Sequence, residues 1–364
     1  MRVLLIGPCP PPHGGISVHV AGIHRQLVEA GVTCRVLDMS RVRPGFRFGL
    51  TVMRHALAGW TLHLHTNGHN VKSWLLALGC GLAGQFRGGC ILTLHSGMVP
   101  GYLETAPSWQ RRLAVVTCSL YSSVICVNPE IRSALLETAP FGHGSETQCA
   151  DTEPRPEGAV QQPIGQRMEV LPAFLSAESR DGAVDSEVRA WIERHQPLCS
   201  TVLFFRPEYG FDLLVAGLAR LKCHYPSLGC LVMGSGEQLA EAKRRIHEAS
   251  LDENILLLGD VDHDACLALM SACDVFLRPT LKDGDSISVR EALSLGVPVV
   301  ASRVGTRPSG ALLFHPGNVE EMVAKIELAL KARRGNRAPT VGCMDRLMEI
   351  YRQVDGSEGS LCLN

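Results

Sequence analysis

One stretch near the C-terminal end, residues 278–302, constrains the fold more than any other part of the chain. It predicts a loop, a short helix and then a strand. Asp285 and Ser286 are candidate N-caps, and the residues that follow are compatible with a helix that ends at Gly296. A proline and the apolar run Val299-Val-Ala come next, which is typical of a parallel strand buried on both faces. The stretch therefore indicates an α/β protein.

The beginning of this helix also has the chemistry of an anion site. Small residues leave free N–H groups and the positive end of the helix dipole open to a ligand, most often a phosphate. Asp283 precedes the helix and Glu291 lies within it. Because carboxylates accept hydrogen bonds from sugar hydroxyls but repel phosphate, the combination predicts a sugar nucleotide. An ordinary helix–strand unit with surface acids is the alternative interpretation.

The stretch resembles the donor-binding signature of the retaining GT-B glycosyltransferases of family 4, the glycosyl transferases group 1. That signature has two acids separated by seven residues, then an alanine, a glycine and Pro-Val-Val-Ala-Ser. Asp283 and Glu291 keep the spacing, and residues 291–302 follow the remaining pattern closely. The departure is Asp283, where the family has the longer Glu. The resemblance covers nearly the whole chain except for residues 139–167 and the last ten residues.

The resemblance implies the GT-B architecture, with two doubly wound Rossmann-like domains facing across a cleft. A length of 364 residues suits two domains. The implied parts are an acceptor-side domain at 1–167, a nucleotide-sugar donor domain at 168–340, and a C-terminal helix at 341–364 that packs back on the first domain and ends in a tail. Residues 139–167 lack apolar periodicity, which predicts a long flexible loop.

A glycine pair lies at the first junction between a strand and a helix. Val3–Gly7 is predicted as a strand, and a helical pattern begins after Gly14 and Gly15. The spacing of a dinucleotide-binding fingerprint is absent. Paired glycines allow a close approach of backbone to ligand, although a plain turn has the same sequence. The resemblance implies that both glycines lie near the donor phosphates.

Histidines end two of the predicted strands. The pattern of residues 90–95 predicts a strand that ends at His95, and a polar residue there faces the crevice in which α/β proteins bind ligands. A lone histidine in such a place is more often structural. The resemblance implies that His95 lies beside the transferred sugar, whereas His63 and His65 are weaker candidates on the acceptor side.

The loop at the beginning of the second domain departs from the family. The family has an Arg and a Lys here that hold the donor diphosphate, and Tyr209 occupies the position of the Lys. Arg206 is the expected replacement, since a guanidinium pairs with phosphate through two hydrogen bonds. Lys282, in the loop before Asp283, is a second replacement cation. Without such a replacement, diphosphate binding would be weak or the chain inactive.

The implied site combines these positions. Glu291 would hold ribose hydroxyls, Asp283 the sugar hydroxyls, and the amides of residues 286–288 the phosphates. The implied catalytic residues are His95 and Asp283. The implied donor-binding residues are Gly14, Gly15, Arg206, Lys282, Gly284, Asp285, Ser286, Ile287, Ser288 and Glu291. No metal and no cofactor beyond the sugar nucleotide are expected.

Charge is distributed unevenly along the chain. Residues 1–138 hold 12 Arg and Lys against 5 Asp and Glu, although the net charge of the whole chain is −1. Such an asymmetry predicts an anionic partner for the N-terminal half. Basic and apolar residues alternate between Arg41 and Trp60, which suits an anionic membrane surface and equally a solvated basic face over a packed helix.

The expected location is cytoplasmic, with peripheral attachment to the inner face of a membrane. The 14 cysteines show no metal-ligand spacing and suit a reducing compartment. No signal peptide and no membrane-spanning helix are expected. The expected partners are a sugar-nucleotide donor and a saccharide or lipid-linked acceptor, without nucleic acid.

The expected function is transfer of a sugar from a nucleoside diphosphate sugar, with retention, to an acceptor such as a lipid-linked saccharide in surface polysaccharide synthesis. Two alternatives remain open. A sugar-nucleotide epimerase would change the donor sugar without any acceptor. A non-catalytic subunit, in keeping with Tyr209, would bind the nucleotide without transfer or slow donor hydrolysis.

Overall fold

The chain divides into two compact units in the computed structural model, which describes residues 1–11, 14–138, 164–173, 183–331 and 343–356. Most of the predicted loop at 139–167 and the end of the predicted tail lie outside these described residues. The first unit comprises Met1–Pro8, Ile23–Pro172 and Met344–Asn364, and the second unit comprises Cys9–Gly22 and Ala173–Cys343.

The first unit is built on six parallel strands. They are β1 (Arg2–Gly7), β2 (Thr33–Asp38), β3 (Thr61–Thr66), β4 (Cys90–Leu94), β5 (Ser123–Cys126) and β6 (Met168–Val170). Their order in the sheet is β2-β1-β3-β4-β5-β6. Strands β3, β4 and β5 are buried along their whole length, as the continuous apolar patterns predict for a sheet covered on both faces.

Six α-helices connect these strands in the part of the chain that the structure describes. They are α1 (Gly15–Glu29), α2 (Phe46–Leu57), α3 (Val71–Gly84), α4 (Val99–Thr105), α5 (Ser108–Ser119) and α6 (Pro129–Thr138). Helices α2, α3 and α5 lie side by side in that order. The division between the units passes through α1, because its first half groups with the second unit.

The second unit repeats the plan with another six parallel strands. They are β7 (Leu198–Val202), β8 (Gly229–Met233), β9 (Ile255–Gly259), β10 (Val275–Arg278), β11 (Val299–Ser302) and β12 (Leu312–Phe314). Their order is β12-β11-β10-β7-β8-β9. Helix α7 (Ser186–Glu193) precedes these strands and α12 (Val319–Lys331) follows them, and the helices between them are α8 (Phe211–Lys222), α9 (Leu239–Glu248), α10 (His263–Ala272) and α11 (Ile287–Ser294). Two parallel sheets of this kind confirm the predicted pair of Rossmann-like folds.

A switch in chain direction occurs between β7 and β10. From β7 the chain continues outward to β8 and β9, then returns to form β10 on the opposite side of β7 and continues to β11 and β12. Open α/β sheets bind ligands outside the carboxyl ends of the strands at such a switch point. The loops after β7 and β10 are therefore the expected ligand-binding loops of this unit.

The last helix, α13 (Cys343–Asp355), has its contacts with the first sheet. The Tyr351 hydroxyl and His63 Nδ1 are 2.6 Å apart, and Arg346 forms a two-pronged ion pair with Glu169 at 2.7 and 2.8 Å. Because β6 pairs with β5, the first unit extends to Pro172, a few residues beyond the predicted boundary.

Candidate active site

At the switch point of the second unit, the loop after β7 (residues 203–210) contacts the loop after β10 (residues 279–286). The N–H of Leu281 donates to the carbonyl of Glu208 at 2.7 Å. Gly210 has a φ of 70°, and a Cβ atom there would overlap the carbonyl oxygen of Pro279. Glycine is thus required for the two loops to lie this close.

The predicted glycine pair lies against the same region. A Cβ atom on Gly14 would be 2.9 Å from Cζ of Phe204, and one on Gly15 would be 3.8 Å from Cδ1 of Ile287. Gly14 and Ser17 also exchange hydrogen bonds of 2.9 and 3.0 Å, which fix the turn into α1. The structure therefore brings the glycine loop, the loop after β7 and the first residue of α11 together.

Helix α11 begins without a side-chain cap. Ser286 occupies the N-cap position, but its side chain makes no capping hydrogen bond, and its Oγ lies 3.1 Å from Oγ of Ser288. The first turn contains no acidic residue. The N–H groups of the first turn and the positive end of the helix dipole remain suited to an anion. Of the two predicted N-cap candidates, the structure selects Ser286.

Asp283 is held between two buried arginines. Its Oδ2 accepts from Nε of Arg278 and Nη2 of Arg307, both at 3.1 Å, and Thr280 Oγ1 lies 3.4 Å away. Its Oδ1 accepts from the N–H of Gly284 at 3.1 Å. Burial alone would raise the pKa of Asp283, but the two arginines outweigh it, and the pKa is lowered. The carboxyl group is consequently ionised at neutral pH.

Asp285 has a structural partner of its own. Its two carboxylate oxygens accept from Nε of Arg290 at 2.7 and 3.0 Å, and its side chain is 1% exposed. Burial raises the pKa of Asp285, while Arg290 opposes the shift. The backbone of Asp285 bridges to Thr306, and Gly284 accepts from the N–H of Thr306 at 2.8 Å. At Asp285 the loop can therefore present its backbone groups to a ligand, but not its carboxylate, which is already bound by Arg290.

Glu291 is buried in α11 and paired with a histidine. Its Oε1 lies 2.7 Å from Nε2 of His263, the first residue of α10. His263 follows β9 by a short turn, and Asp262 caps α10 through its side chain. The pairing fixes the orientation of the Glu291 carboxylate. Sequence reasoning missed His263, although its place just beyond the carboxyl end of a strand was a usable signal.

The two predicted replacement cations are exposed. Arg206 lies at the N-cap of the short 3₁₀ turn Pro207–Tyr209, and Lys282 follows the contact between the two loops. Tyr209 itself lies under a different cation, because the guanidinium of Arg278 is 5.2 Å from the centre of its ring. Sequence reasoning assigned no role to Arg278 or Arg307. Each precedes a proline, and each ends or follows a buried parallel strand.

The first unit brings the three predicted histidines together. Nδ1 of His65 and Nε2 of His95 are 3.1 Å apart, and the rings of His63 and His65 lie 4.1 Å apart on one face of β3. His63 also bonds to Tyr351 and Thr93. His65 thereby orients His95 at the carboxyl end of β4.

Comparison with known proteins shows which family the second unit is similar to. Residues 193–339 match the family model described as glycosyl transferases group 1. These residues are less than half of the chain, and they are similar to a group 1 glycosyltransferase domain. The matched region contains the loops after β7 and β10 and all of α11. Both acids of the predicted signature, Asp283 and Glu291, lie within it, together with the arginines around them.

Curated relatives match over a limited region. The chain is 30% identical over 129 residues to 2-deoxystreptamine glucosyltransferase of Streptomyces kanamyceticus, which is 34% of this chain and 33% of the relative. It is 35% identical over 105 residues to the lipopolysaccharide core biosynthesis mannosyltransferase LpsB of Rhizobium meliloti, 28% and 29% of the two chains. The matches span about a third of these relatives' length.

Solved structures match over the whole chain. Anabaena Alr3699/HepE in complex with UDP-glucose aligns with a TM-score of 0.67 at 15% identity, covering 99% of this chain and 100% of that one. A glycosyltransferase from Rickettsia africae aligns with a TM-score of 0.66 at 13% identity, covering 97% and 98%. At these identities the likeness establishes the fold, and the predicted GT-B class is confirmed.

Proposed function

We propose that the chain is a glycosyltransferase that moves a sugar from a nucleoside diphosphate sugar to a saccharide or lipid-linked acceptor, with retention of the anomeric configuration. The observation that carries the proposal is the combination of groups at the switch point of the second unit. Helix α11 after β10 has an uncapped N-terminus and holds the buried carboxylate of Glu291. The loop before it carries Asp283, which is bound by Arg278 at the end of β10 and by Arg307 in the loop after β11.

The site offers a separate partner for each part of such a donor. Glu291, oriented by His263, is suited to accept hydrogen bonds from the ribose hydroxyls. The amides at the start of α11 and the arginine charge are suited to the diphosphate. Stabilising the departing diphosphate is the main electrostatic task of the transfer. No metal ion enters this proposal.

Support for the acceptor class comes from the relatives. Besides LpsB, they include the phosphatidylinositol N-acetylglucosaminyltransferase gpi3 subunit of Schizosaccharomyces pombe, 27% identical over 153 residues. The names of these two enzymes refer to lipopolysaccharide and phosphatidylinositol, both of which contain a lipid. We therefore propose a lipid-linked saccharide, as in surface polysaccharide synthesis, as the acceptor.

A surface of the first unit suits a membrane that carries such an acceptor. Helices α2, α3 and α5 each present an exposed stripe of apolar and basic side chains, and none of the three helices contains an acidic residue. We call these stripes the basic–apolar face. Its members are Phe46, Leu50, Arg54 and Leu57 on α2, Lys72, Leu75 and Leu82 on α3, Phe86 just after α3, and Trp109, Arg112 and Val116 on α5.

The spacing of these residues supports peripheral attachment. Members of a stripe follow one another at three, four or seven residues, so each helix directs them to one side. Apolar side chains with basic neighbours bind anionic lipid surfaces by burial and by charge together. None of the described helices combines the length and the apolar character needed to cross a bilayer. We place the working enzyme at the cytoplasmic side of an anionic membrane.

The experiment that tests the donor half of the proposal is thermal unfolding against a panel of nucleoside diphosphates and their sugars. A ligand that binds only the folded protein stabilises it by about 2.7 kcal/mol at roughly 100 times its Kd. We expect one sugar nucleotide to raise the Tm of the wild type. Glu291→Gln and Glu291→Ala should lose most of that rise, because the ribose hydroxyls lose a charged carboxylate as their acceptor.

The chain offers a matched control for this substitution. Glu327 on α12 forms the same kind of pair with Nδ1 of His224 at 3.0 Å, but Glu327 is 28% exposed and His224 is 67% exposed. Glu327→Ala should keep the full ligand-dependent rise in Tm. If no nucleotide stabilises the wild type, the transferase proposal fails. If a nucleotide binds but Glu291 and Glu327 variants respond equally, the assignment of the site is wrong.

A further inference from the structure

A buried cluster of charged side chains at the switch point carries a surplus of positive charge. Arg278 and Arg307 share the carboxylate of Asp283, so this cluster holds two cations and one anion. The Arg278 side chain is 10% exposed, that of Arg307 is 2% exposed and that of Asp283 is 13% exposed. Burying an unpaired charge away from water costs free energy unless an opposite charge binds next to it.

Neighbouring charged groups do not cancel this surplus. Asp285 and Arg290 neutralise each other through two hydrogen bonds. Arg206 and Glu208 lie at the same short turn as Tyr209 and carry opposite charges, so they add no net charge. Lys282 adds a further positive charge at the surface. The arrangement is therefore complementary to an anion at the carboxyl ends of β7 and β10.

The two arginines differ in what their guanidinium groups contact. Arg307 donates to the carbonyl of Ser302, to Thr280 and to Asp283, and its side chain is the more deeply buried. Arg307 is accordingly a positioning residue that holds Asp283. Arg278 donates to Asp283 and to the carbonyl of Val202 at 2.7 Å, and its guanidinium also lies over an aromatic ring.

Tyr209 provides that ring and fixes the guanidinium of Arg278 in place. The distance from Arg278 Cζ to the ring centre is 5.2 Å, within the range of a cation–π contact. The turn that carries Tyr209 is held against the loop after β10 by Leu281 and Gly210. Tyr209 thus supplies no charge itself but orients a cation that comes from the neighbouring strand.

We propose that Arg278, seated on the Tyr209 ring and held by Asp283, is the residue that neutralises the second phosphate of the donor and the departing nucleoside diphosphate. Asp283 and Arg307 act through Arg278 by positioning its guanidinium. This inference rests on the proposed function and adds the residue responsible for recognising a diphosphate rather than a monophosphate.

Calorimetric titration with UMP, UDP, GMP and GDP tests the assignment. The wild type should bind the diphosphate of its preferred base at least roughly tenfold more tightly than the monophosphate, because a guanidinium pairs strongly with phosphate. Arg278→Met should lose this preference while its monophosphate affinity stays within about twofold of the wild type. Tyr209→Phe keeps the ring and should keep the preference.

A second variant provides rescue. Position 209 lies beside the guanidinium of Arg278, so Tyr209→Lys combined with Arg278→Met returns a cation to the same place. The double variant should regain part of the diphosphate preference. Arg278→Lys, which keeps the charge without the planar fork, should retain an intermediate preference and serves in place of Arg278→Met if that variant does not fold.

Failure of this inference is distinguishable from failure of the proposed function. If the wild type binds none of the four nucleotides and no nucleotide of the thermal-unfolding panel stabilises it, the proposed function itself is contradicted. If the wild type prefers the diphosphate and Arg278→Met or Arg278→Lys keeps the full preference, Arg278 is not the responsible cation. An equal loss of monophosphate and diphosphate affinity also overturns the assignment, since it would show a general distortion of the loops.

Discussion

At the scale of single residues, the arginine partners decide which carboxylates of the site are available to bind a ligand. Asp283 and Asp285 are both close to α11, yet each is bound by arginines of its own unit. Glu291 is paired with the imidazole of His263 rather than with an arginine. The three acids therefore have different tasks. Glu291 faces the ligand in our proposal, and the other two shape the loop that binds it.

Replacement of Asp283 by Asn should destabilise the protein in a pH-dependent manner. The pKa of Asp283 is lowered in the folded state, so its ionisation stabilises the fold above the unfolded value of about 3.9, and this contribution disappears as the pH falls through the folded pKa. We expect a loss of about 3–5 kcal/mol at neutral pH, typical of breaking a buried ion pair. Urea unfolding at several pH values measures it.

The control for this experiment is an exposed acid. Asp252 pairs with His247 at 3.3 Å, and its side chain is 55% exposed. Asp252→Asn should change the free energy of unfolding by less than about 1 kcal/mol. The difference between the wild type and Asp283→Asn should shrink below about pH 4. A difference that is constant from pH 7 to pH 3 would contradict an ionised, arginine-bound Asp283.

Sequence reasoning located the loop and the helix that carry Asp283 and Glu291, because their pattern is local to one stretch of the chain. The stretch from Asp283 to Glu291 was predicted from its spacing and from the helix that follows. The partners His263 and Arg307 were missed, because their distance in space from these acids depends on how separate loops fold onto the sheet. The role of Tyr209 was also missed, since the ring matters only beside Arg278 at the end of another strand.

At the scale of elements, the strands were the most predictable part of the fold. Continuous apolar runs such as Cys90–Leu94 and Val299–Ser302 are buried central strands in the structure. Helix α11 begins at Ile287, close to the predicted start. Ser286, one of the two predicted N-cap residues, directly precedes it. The grouping of Cys9–Gly22 with the second unit was not predicted, since it depends on packing of Gly14 and Gly15 against distant residues.

The contact between the loops after β7 and β10 should depend on Gly210. Gly210→Ala would introduce both a strained positive φ and an overlap with the carbonyl of Pro279, so the two loops must separate. Gly259→Ala is the matched control, with a φ of 72° and open space around its Cβ position. The control should lose only about 1–2 kcal/mol of unfolding free energy.

Gly210→Ala should lose clearly more stability than this control and should also weaken nucleotide binding. Denaturant titration gives the first quantity and calorimetry the second. Equal losses of stability in the two alanine variants, with nucleotide affinity unchanged in Gly210→Ala, would show that the contact between the loops is dispensable. In that case the cluster around Arg278 would not depend on the turn that carries Tyr209.

At the scale of the whole molecule, the basic–apolar face should give the protein an affinity for anionic lipid. We expect co-sedimentation with vesicles rich in anionic phospholipid and little with zwitterionic vesicles, with binding that falls as salt concentration rises. Leu50→Ser, at 49% exposure, should weaken binding several-fold because an apolar anchor is lost. The control Leu328→Ser, at 51% exposure on α12, should have no effect.

This comparison separates a membrane-binding face from a merely solvated one. If Leu50→Ser and Leu328→Ser bind the vesicles equally well, the exposed leucine of α2 is not a lipid contact. Binding that is equal for anionic and zwitterionic vesicles would contradict the role of Arg54, Lys72 and Arg112. Either result would remove the membrane from the proposal while leaving the donor site untouched.

The measurement that tests the central claim most directly is transfer of a labelled sugar. The sugar nucleotide that stabilises the protein, labelled in its sugar, is incubated with free and lipid-linked saccharides, and the products and the released nucleoside diphosphate are quantified. We predict equimolar transfer and release, an unchanged anomeric configuration, loss of both in Glu291→Gln, and full activity in Glu327→Ala. Binding without transfer or donor hydrolysis, or a changed donor sugar without an acceptor, would contradict the claim.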